Sequence, residues 1–147
     1  VTTIHSRAEE LGADSKFREK YDMCVSRAVA NLTTLCELCL PFVKVGGYFV
    51  SLKGPKASEE LKEAKRAIEL LGGKFERMEN YDLSDTDLSH NIVVIKKISH
   101  TPTKYPRNSA QIKKKSETGL ISLYLLCSMI MSSIRSLLLS VHCASKK

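Results

Sequence analysis

Tyr21-Asp-Met-Cys-Val-Ser-Arg-Ala-Val-Ala30 is the stretch whose reading decides the fold. An aromatic and an acid open it, Met23-Cys24-Val25 follows as a short buried strand, and Ser26-Arg27 stands where strand gives way to helix. In an open α/β sheet, ligands bind just beyond the carboxyl ends of the strands. This placement makes Arg27 a candidate site residue. It also predicts that the segments on either side alternate helix and strand.

They do. Downstream, Leu32, Leu35, Cys36, Cys39 and Val43 recur at three-to-four spacing, which predicts a helix from Val29 to Val43. Pro41 should bend or restart it, and Gly46-Gly47 should end it. Tyr48 to Leu52 is aromatic and β-branched, a strand broken by Lys53-Gly54-Pro55. Ser58 is the expected N-cap of a helix with Glu59 and Glu60 in its first turn. Leu61, Ala64, Ile68 and Leu71 mark its inner face, and Gly72-Gly73 its stop. Lys74 to Leu83 reads as a strand, residues 84–87 as a loop, and Ile92-Val-Val-Ile95 as a strand buried on both faces. With no helix between them, these last two strands are expected to pair antiparallel. Upstream, Val1 to His5 reads as a strand, Ser6 to Glu10 as a loop or first helical turn, and Asp14 to Lys20 as a surface connection or short helix. The order predicts the second half of a doubly wound α/β sheet ending in an antiparallel pair.

At 147 residues, 43% hydrophobic and 27% charged, the chain is of ordinary globular composition. The net charge of +7 is unevenly spread, because residues 1–107 hold 17 of the 23 Lys and Arg but 15 of the 16 Asp and Glu. The folded part is nearly neutral, so overall charge alone does not argue for nucleic acid. Five cysteines, an odd count without a secreted-domain pattern or signal peptide, point to the reducing cytoplasm. Cys36-x-x-Cys39 lies within a helical pattern and lacks a second pair, so it reads as two small hydrophobes and no metal is expected.

The chain divides into three regions: residues 1–98 as the partial sheet domain, 99–119 as a basic arm, and 120–147 as an apolar, Ser-rich tail. From Lys96 to Lys115 there are seven Lys and Arg and no acid, with Pro102 and Pro106 keeping the path extended. This is an arm reaching an RNA backbone or a solvated extension. Gly119 to Ile134 is uncharged, but Arg135 interrupts a run already short of the ~20 residues a membrane span needs. The tail is read as foreign to the domain rather than as a partner helix or an anchor. A non-catalytic module using arm and tail on nucleic acid or membrane is the alternative to an enzyme.

Arg7-Ala-Glu-Glu, Ser26-Arg-Ala-Val-Ala, Leu40-Pro-Phe-Val-Lys-Val-Gly-Gly, Leu52-Lys-Gly, Asn91-Ile-Val-Val-Ile-Lys-Lys and Thr101-Pro-Thr-Lys-Tyr-Pro-Arg succeed one another at characteristic spacings. Together they resemble the C-terminal half of the bacterial 16S ribosomal RNA guanine-N7 methyltransferases, over about residues 1–107. The resemblance implies an incomplete class I methyltransferase (Rossmann-like) sheet, S-adenosyl-L-methionine as cofactor, and 16S rRNA of the small ribosomal subunit as partner. It places Ala8, Glu9 and Arg27 at the cofactor, and makes Lys53, Lys104 and Arg107 weaker candidates for RNA. It implies no catalytic acid or nucleophile, because guanine N7 already carries the attacking lone pair. Two departures stand out. The Gly-rich cofactor loop and the ribose-binding acid have no counterpart in these residues. Asn108-Ser-Ala-Gln-Ile-Lys-Lys-Lys replaces the family's Lys/Gly/Pro-rich end, as a shifted reading frame would. The chain is accordingly expected to be an inactive fragment.

Overall fold

A computed structural model describes residues 4–27, 30–82 and 89–113. Its elements in order are α1 (Ala8–Ala13), β1 (Tyr21–Arg27), α2 (Leu32–Cys39), a 3-10 turn (Leu40–Phe42), β2 (Val43–Lys53), α3 (Ala57–Leu70), β3 (Gly73–Asp82), β4 (Ser89–Lys97) and α4 (Ser109–Lys113). The four strands form one sheet in the order β1-β2-β4-β3. β1 and β2 are parallel, while β4 runs antiparallel to both β2 and β3. The expected α/β class and terminal antiparallel pair are both present. What strand patterns could not specify is that β4 inserts between β2 and β3. Of the strand expected at residues 1–5, Ile4 and His5 have no regular structure, and the rest lies outside the described residues, as do the 84–87 loop and the whole 120–147 tail.

The helix expected to run to Gly46-Gly47 stops at Cys39. Asn31 caps its start, its side chain accepting from the Thr34 N–H at 2.9 Å. Pro41 has no N–H to continue the ladder, so the chain tightens into the 3-10 turn and Val43 enters β2 directly. Gly46-Gly47 therefore serves a strand. Tyr21 pairs with Val43 but Met23 pairs with Tyr48, so residues 44–47 bulge out of β2. Gly46 takes the bulge's φ of +91°, and a Cβ on Gly47 would stand 2.5 Å from the Asp22 carbonyl oxygen.

Ser58, the expected N-cap, is already inside the first turn of α3. The Ala57 N–H bonds the Gly54 carbonyl across Pro55, and Pro's fixed φ starts the helical geometry before Ser58 is reached. The inner face of α3 otherwise follows the spacing, with Ala64, Ile68 and Leu71 buried.

α2 and α3 pack on each other and on one face of the sheet. Cys24, Phe49, Val93 and Ile95 of that face join Leu32, Leu35, Cys36 and Ile68 in the core. Burial of such side chains contributes about 1.5–3 kcal/mol each. α1 lies against α2 and the 3-10 turn, with Ala8 buried and Gly12 held close to Pro41, Phe42 and Pro106.

Candidate functional site

Because β1 and β2 are parallel with Arg27 opposite Leu52, the carboxyl ends of both strands open on the same edge. The Arg27 side chain is exposed there and makes no hydrogen bond or ion pair among the described residues. A guanidinium so placed can take a carboxylate with two parallel N–H···O bonds.

Lys53, one residue past Leu52, has the opposite environment. Its side chain is 3% exposed, and its Nζ donates to the Ala30 carbonyl and pairs with Glu60 at 2.6 Å. Glu60 in turn accepts from the Leu32 N–H at 2.7 Å. The pair fastens the turn after β1 to the start of α3. Expected as an RNA contact, Lys53 here has its ammonium committed to the fold behind Arg27.

Ala8 is buried within the core, and Glu9 beside it is half-buried. The Gly12 end of α1 rests on the 3-10 turn, whereas Arg27 lies by the opposite, N-terminal end of α2. Among the described residues, no hydrogen bond or ion pair joins Arg27 to Ala8 or Glu9.

The segment after β4 folds back. Arg18 donates from Nη1 to the Gly12 and Tyr105 carbonyls (2.9 and 2.8 Å), and from Nη2 to those of Thr101 and Pro102 (2.8 and 3.2 Å). Lys97, fully buried, donates to the Leu40 carbonyl at 2.8 Å and to the Thr101 hydroxyl, with Glu19 at 3.4 Å. Burial pushes the Lys97 pKa down to about 8, against the opposing pull of Glu19. Burial also acts to raise the Glu19 pKa, but the His100 side chain, the Thr101 N–H and the Lys97 ammonium outweigh it and hold the carboxyl below its usual range. The expected basic arm is thus, over residues 101–107, laid along α1 and α2. Of its cations, Lys104 stays exposed, 5.3 Å from the Tyr105 ring centre.

Arg107 is engaged with Glu37. The Glu37 carboxylate accepts from the Arg107 backbone N–H and Nε at 2.9 Å each and from Nη2 at 2.6 Å. This pairing holds the proton on Arg107 more tightly than usual. The signal for it was present in the sequence, since Glu37 is the sole acid in the otherwise apolar run from Leu35 to Phe42. A carboxylate on an inward face needs a cation. Replacing Glu37 by Gln is expected to cost about 1.5–3 kcal/mol, the range for hydrogen bonds to charged groups. Urea unfolding checks this, and a midpoint equal to that of the parent chain would reject the pairing as a stabilising contact.

Cys24, Cys36 and Cys39 are free thiols buried together. Burial raises the Cys36 pKa, with Lys53 opposing, and a hydrogen bond with Cys24 together with burial raises that of Cys39. They pack as small apolar groups. Among the described residues, no three His, Cys, Asp or Glu side chains are grouped to hold a metal, and no helix is long and apolar enough to cross a membrane.

Comparison with known proteins bears on residues 1–89, which match the family described as rRNA small subunit methyltransferase G. Over 115 residues the chain is 58% identical to ribosomal RNA small subunit methyltransferase G of Clostridium novyi, covering 78% of this chain and 47% of that protein. The Clostridium tetani protein of the same name is 50% identical over 115 residues, 78% of this chain and 48% of that one. The Clostridium beijerinckii protein is 53% identical over 114 residues, with the same shares. The chain spans about half the length of these curated relatives. Among solved structures, a T. thermophilus 16S rRNA N2 methyltransferase in complex with AdoMet and guanosine overlaps 58% of this chain and 22% of its own, at TM-score 0.38 and 18% identity, too slight a likeness to argue from.

Proposed function

Because this chain belongs to the rRNA small subunit methyltransferase G family, we propose that it forms part of an S-adenosyl-L-methionine-dependent enzyme methylating guanine N7 in 16S rRNA. The observation that carries the reading is the family match over residues 1–89, which contains Ala8, Glu9 and Arg27. The residues suit the task. Arg27 offers an exposed guanidinium at the carboxyl end of β1, where an amino-acid carboxylate would be held. At the start of α1, beside the buried Ala8, Glu9 offers a half-buried carboxylate for the adenosine end. Bound there, the cofactor supplies an electrophilic methyl to a nitrogen that already bears a lone pair. No residue need remove a proton. The protein's contribution is to hold the two groups in line, with Lys53 and Glu60 fixing the turn that comes after Arg27. Lys104, exposed beside Tyr105, suits an RNA phosphate. Lys53 and Arg107 would act on RNA indirectly, by holding the surrounding backbone. A small-subunit substrate implies the cytoplasm.

On this reading the rest of the cofactor's surroundings comes from the part of the relatives' length that this chain does not match. The chain alone is therefore expected to bind S-adenosylhomocysteine more weakly than micromolar in isothermal titration, and micromolar binding would refute that. Joined in one polypeptide to the segment of the C. novyi relative that it does not match, it should transfer tritium from labelled S-adenosylmethionine to guanine N7 of undermethylated small subunits. Methylation at another position, or none, would sink the proposed function. In the joined protein, Arg27→Ala is expected to weaken S-adenosylhomocysteine at least tenfold, about 1.4 kcal/mol.

A further inference from the structure

α1 is six residues long, too short to persist as a helix by its own hydrogen bonds. Its position is therefore set from outside. Ala8 is buried at one end. At the other, the last-turn carbonyls form the negative pole of the helix, and no basic residue lies in that turn to meet them. Arg18 supplies the missing cation from the loop that follows, donating to the Gly12 carbonyl at 2.9 Å. The same guanidinium donates to the Thr101, Pro102 and Tyr105 carbonyls. One side chain thus joins the helix carrying Ala8 and Glu9 to the segment carrying Lys104. Glu19 completes the joint, its carboxylate accepting from the Thr101 N–H at 2.8 Å and meeting the His100 ring. Adjacent side chains of an extended chain point to opposite sides, yet Arg18 and Glu19 reach the same segment. Glu19 makes this possible by entering the left-handed region at φ +51°, the single non-glycine residue to do so among those described. Its N–H is held by the Pro41 carbonyl at 2.8 Å. Neighbouring contacts that hold a side-chain-bearing residue in so disfavoured a conformation mark a constrained position.

We propose that Arg18 is a positioning residue for methyl transfer, fixing α1, and through α1 the Glu9 carboxylate, against the anchorage of residues 101–105. Glu9 has its role at the cofactor from the function proposed above, and the role of Arg18 rests on it. The Arg18 guanidinium is committed to backbone carbonyls, so it acts through Glu9 and not on the cofactor itself. Arginine suits the task. Its planar fork serves several carbonyls in fixed directions, whereas a lysine offers its donors from a single nitrogen.

Two measurements on Arg18→Met test this. In the full 147-residue chain, hydrogen exchange of the α1 amides should speed up about tenfold more than that of the β4 amides. In the joined protein, the Kd for S-adenosylhomocysteine and the KM for S-adenosylmethionine should both rise about tenfold, with kcat held within about twofold, because cofactor binding is lost equally from ground and transition states. Ile68→Val, buried in α3, is the control for lost stability alone. It should speed exchange in α1 and β4 alike and leave Kd and KM unchanged. Arg18→Lys takes the place of Arg18→Met should the latter lose its far-ultraviolet dichroism. Keeping the charge but not the fork, it should shift the same quantities in the same direction by less. Exchange in α1 that rises no more than in β4, or an unchanged Kd and KM in the folded variant, overturns the proposal. So does an equal rise of Kd in Ile68→Val, which would assign the effect to stability. A fall in kcat with KM unchanged also overturns it, by placing Arg18 at the reacting groups. A joined parent protein that binds no S-adenosylhomocysteine refutes the proposed function, and the role of Arg18 with it. A joined parent that binds it while Arg18→Met binds it equally well refutes the role of Arg18 alone.

Discussion

Replacement of Lys97 by Met is expected to cost the fold about 3–5 kcal/mol, the range for removing one partner of a buried ion pair. The apolar part of Met fills the same space, so the loss is electrostatic. The Leu40 carbonyl, the Thr101 hydroxyl and the Glu19 carboxylate would each lose the cation they face. Thr101 also donates its hydroxyl to the Leu71 carbonyl, so the damage extends to the end of α3. The pH dependence supplies a second readout. The Lys97 pKa is about 8 in the fold and about 10.4 in an unfolded chain. Between these values the unfolded state binds a proton that the folded state has released, so this residue makes stability rise with pH. Below pH 8 both states hold the proton and the contribution is flat. Unfolding midpoints of the parent and Lys97→Met chains, compared from about pH 7 to 10, should show that rise in the parent alone. Parallel curves would mean that Lys97 titrates as an exposed lysine does. At the acid end Glu19 acts with the same sign. Its lowered carboxyl pKa stabilises the fold above the usual carboxylate range, and that share is lost as pH falls through the folded value.

Gly72→Ala is expected to be the most damaging single-methyl addition, above about 4 kcal/mol. Gly72 has a φ of +80°, and a Cβ there would stand 2.2 Å from the Ser99 carbonyl oxygen. The left-handed conformation alone costs an alanine about 1–2 kcal/mol. The larger part is the clash with a backbone that cannot move aside, since the Ile98 and Ser99 N–H groups both donate to the Gly72 carbonyl. Gly54→Ala is the control. A Cβ there meets nothing within 4 Å, so the change should stay within about 1 kcal/mol. Urea midpoints of the two variants test the contrast, and equal losses would refute the steric account.

These two positions show what the sequence can and cannot reveal. Gly72-Gly73 was legible as a helix stop because local backbone freedom is a property of the residue itself. Gly46-Gly47 looked identical and ends no helix. Gly46 needs the freedom of its positive φ, whereas Gly47 is kept small chiefly by Asp22, a neighbour brought close only by strand pairing. Arg27 was legible at a strand end because periodicity and strand order suffice to locate it. Lys53 was not legible as buried. Nothing in Leu52-Lys53-Gly54 reports that Glu60 and the Ala30 carbonyl converge on its ammonium. The basic stretch misled for a related reason. Counting Lys and Arg gives charge without geometry, and Lys97 and Arg107 find their carboxylates on elements dozens of residues away.

The four carbonyls gathered by Arg18 also set a clock. Its Thr101 and Tyr105 partners lie 83 and 87 residues further along the chain. At about 5–20 residues per second, synthesis of that stretch takes about 4–17 s. Throughout that interval α1 has emerged but its clasp has not been made. The helix carrying Ala8 and Glu9 is therefore secured only after the four strands that lie between it and Thr101 have been synthesised.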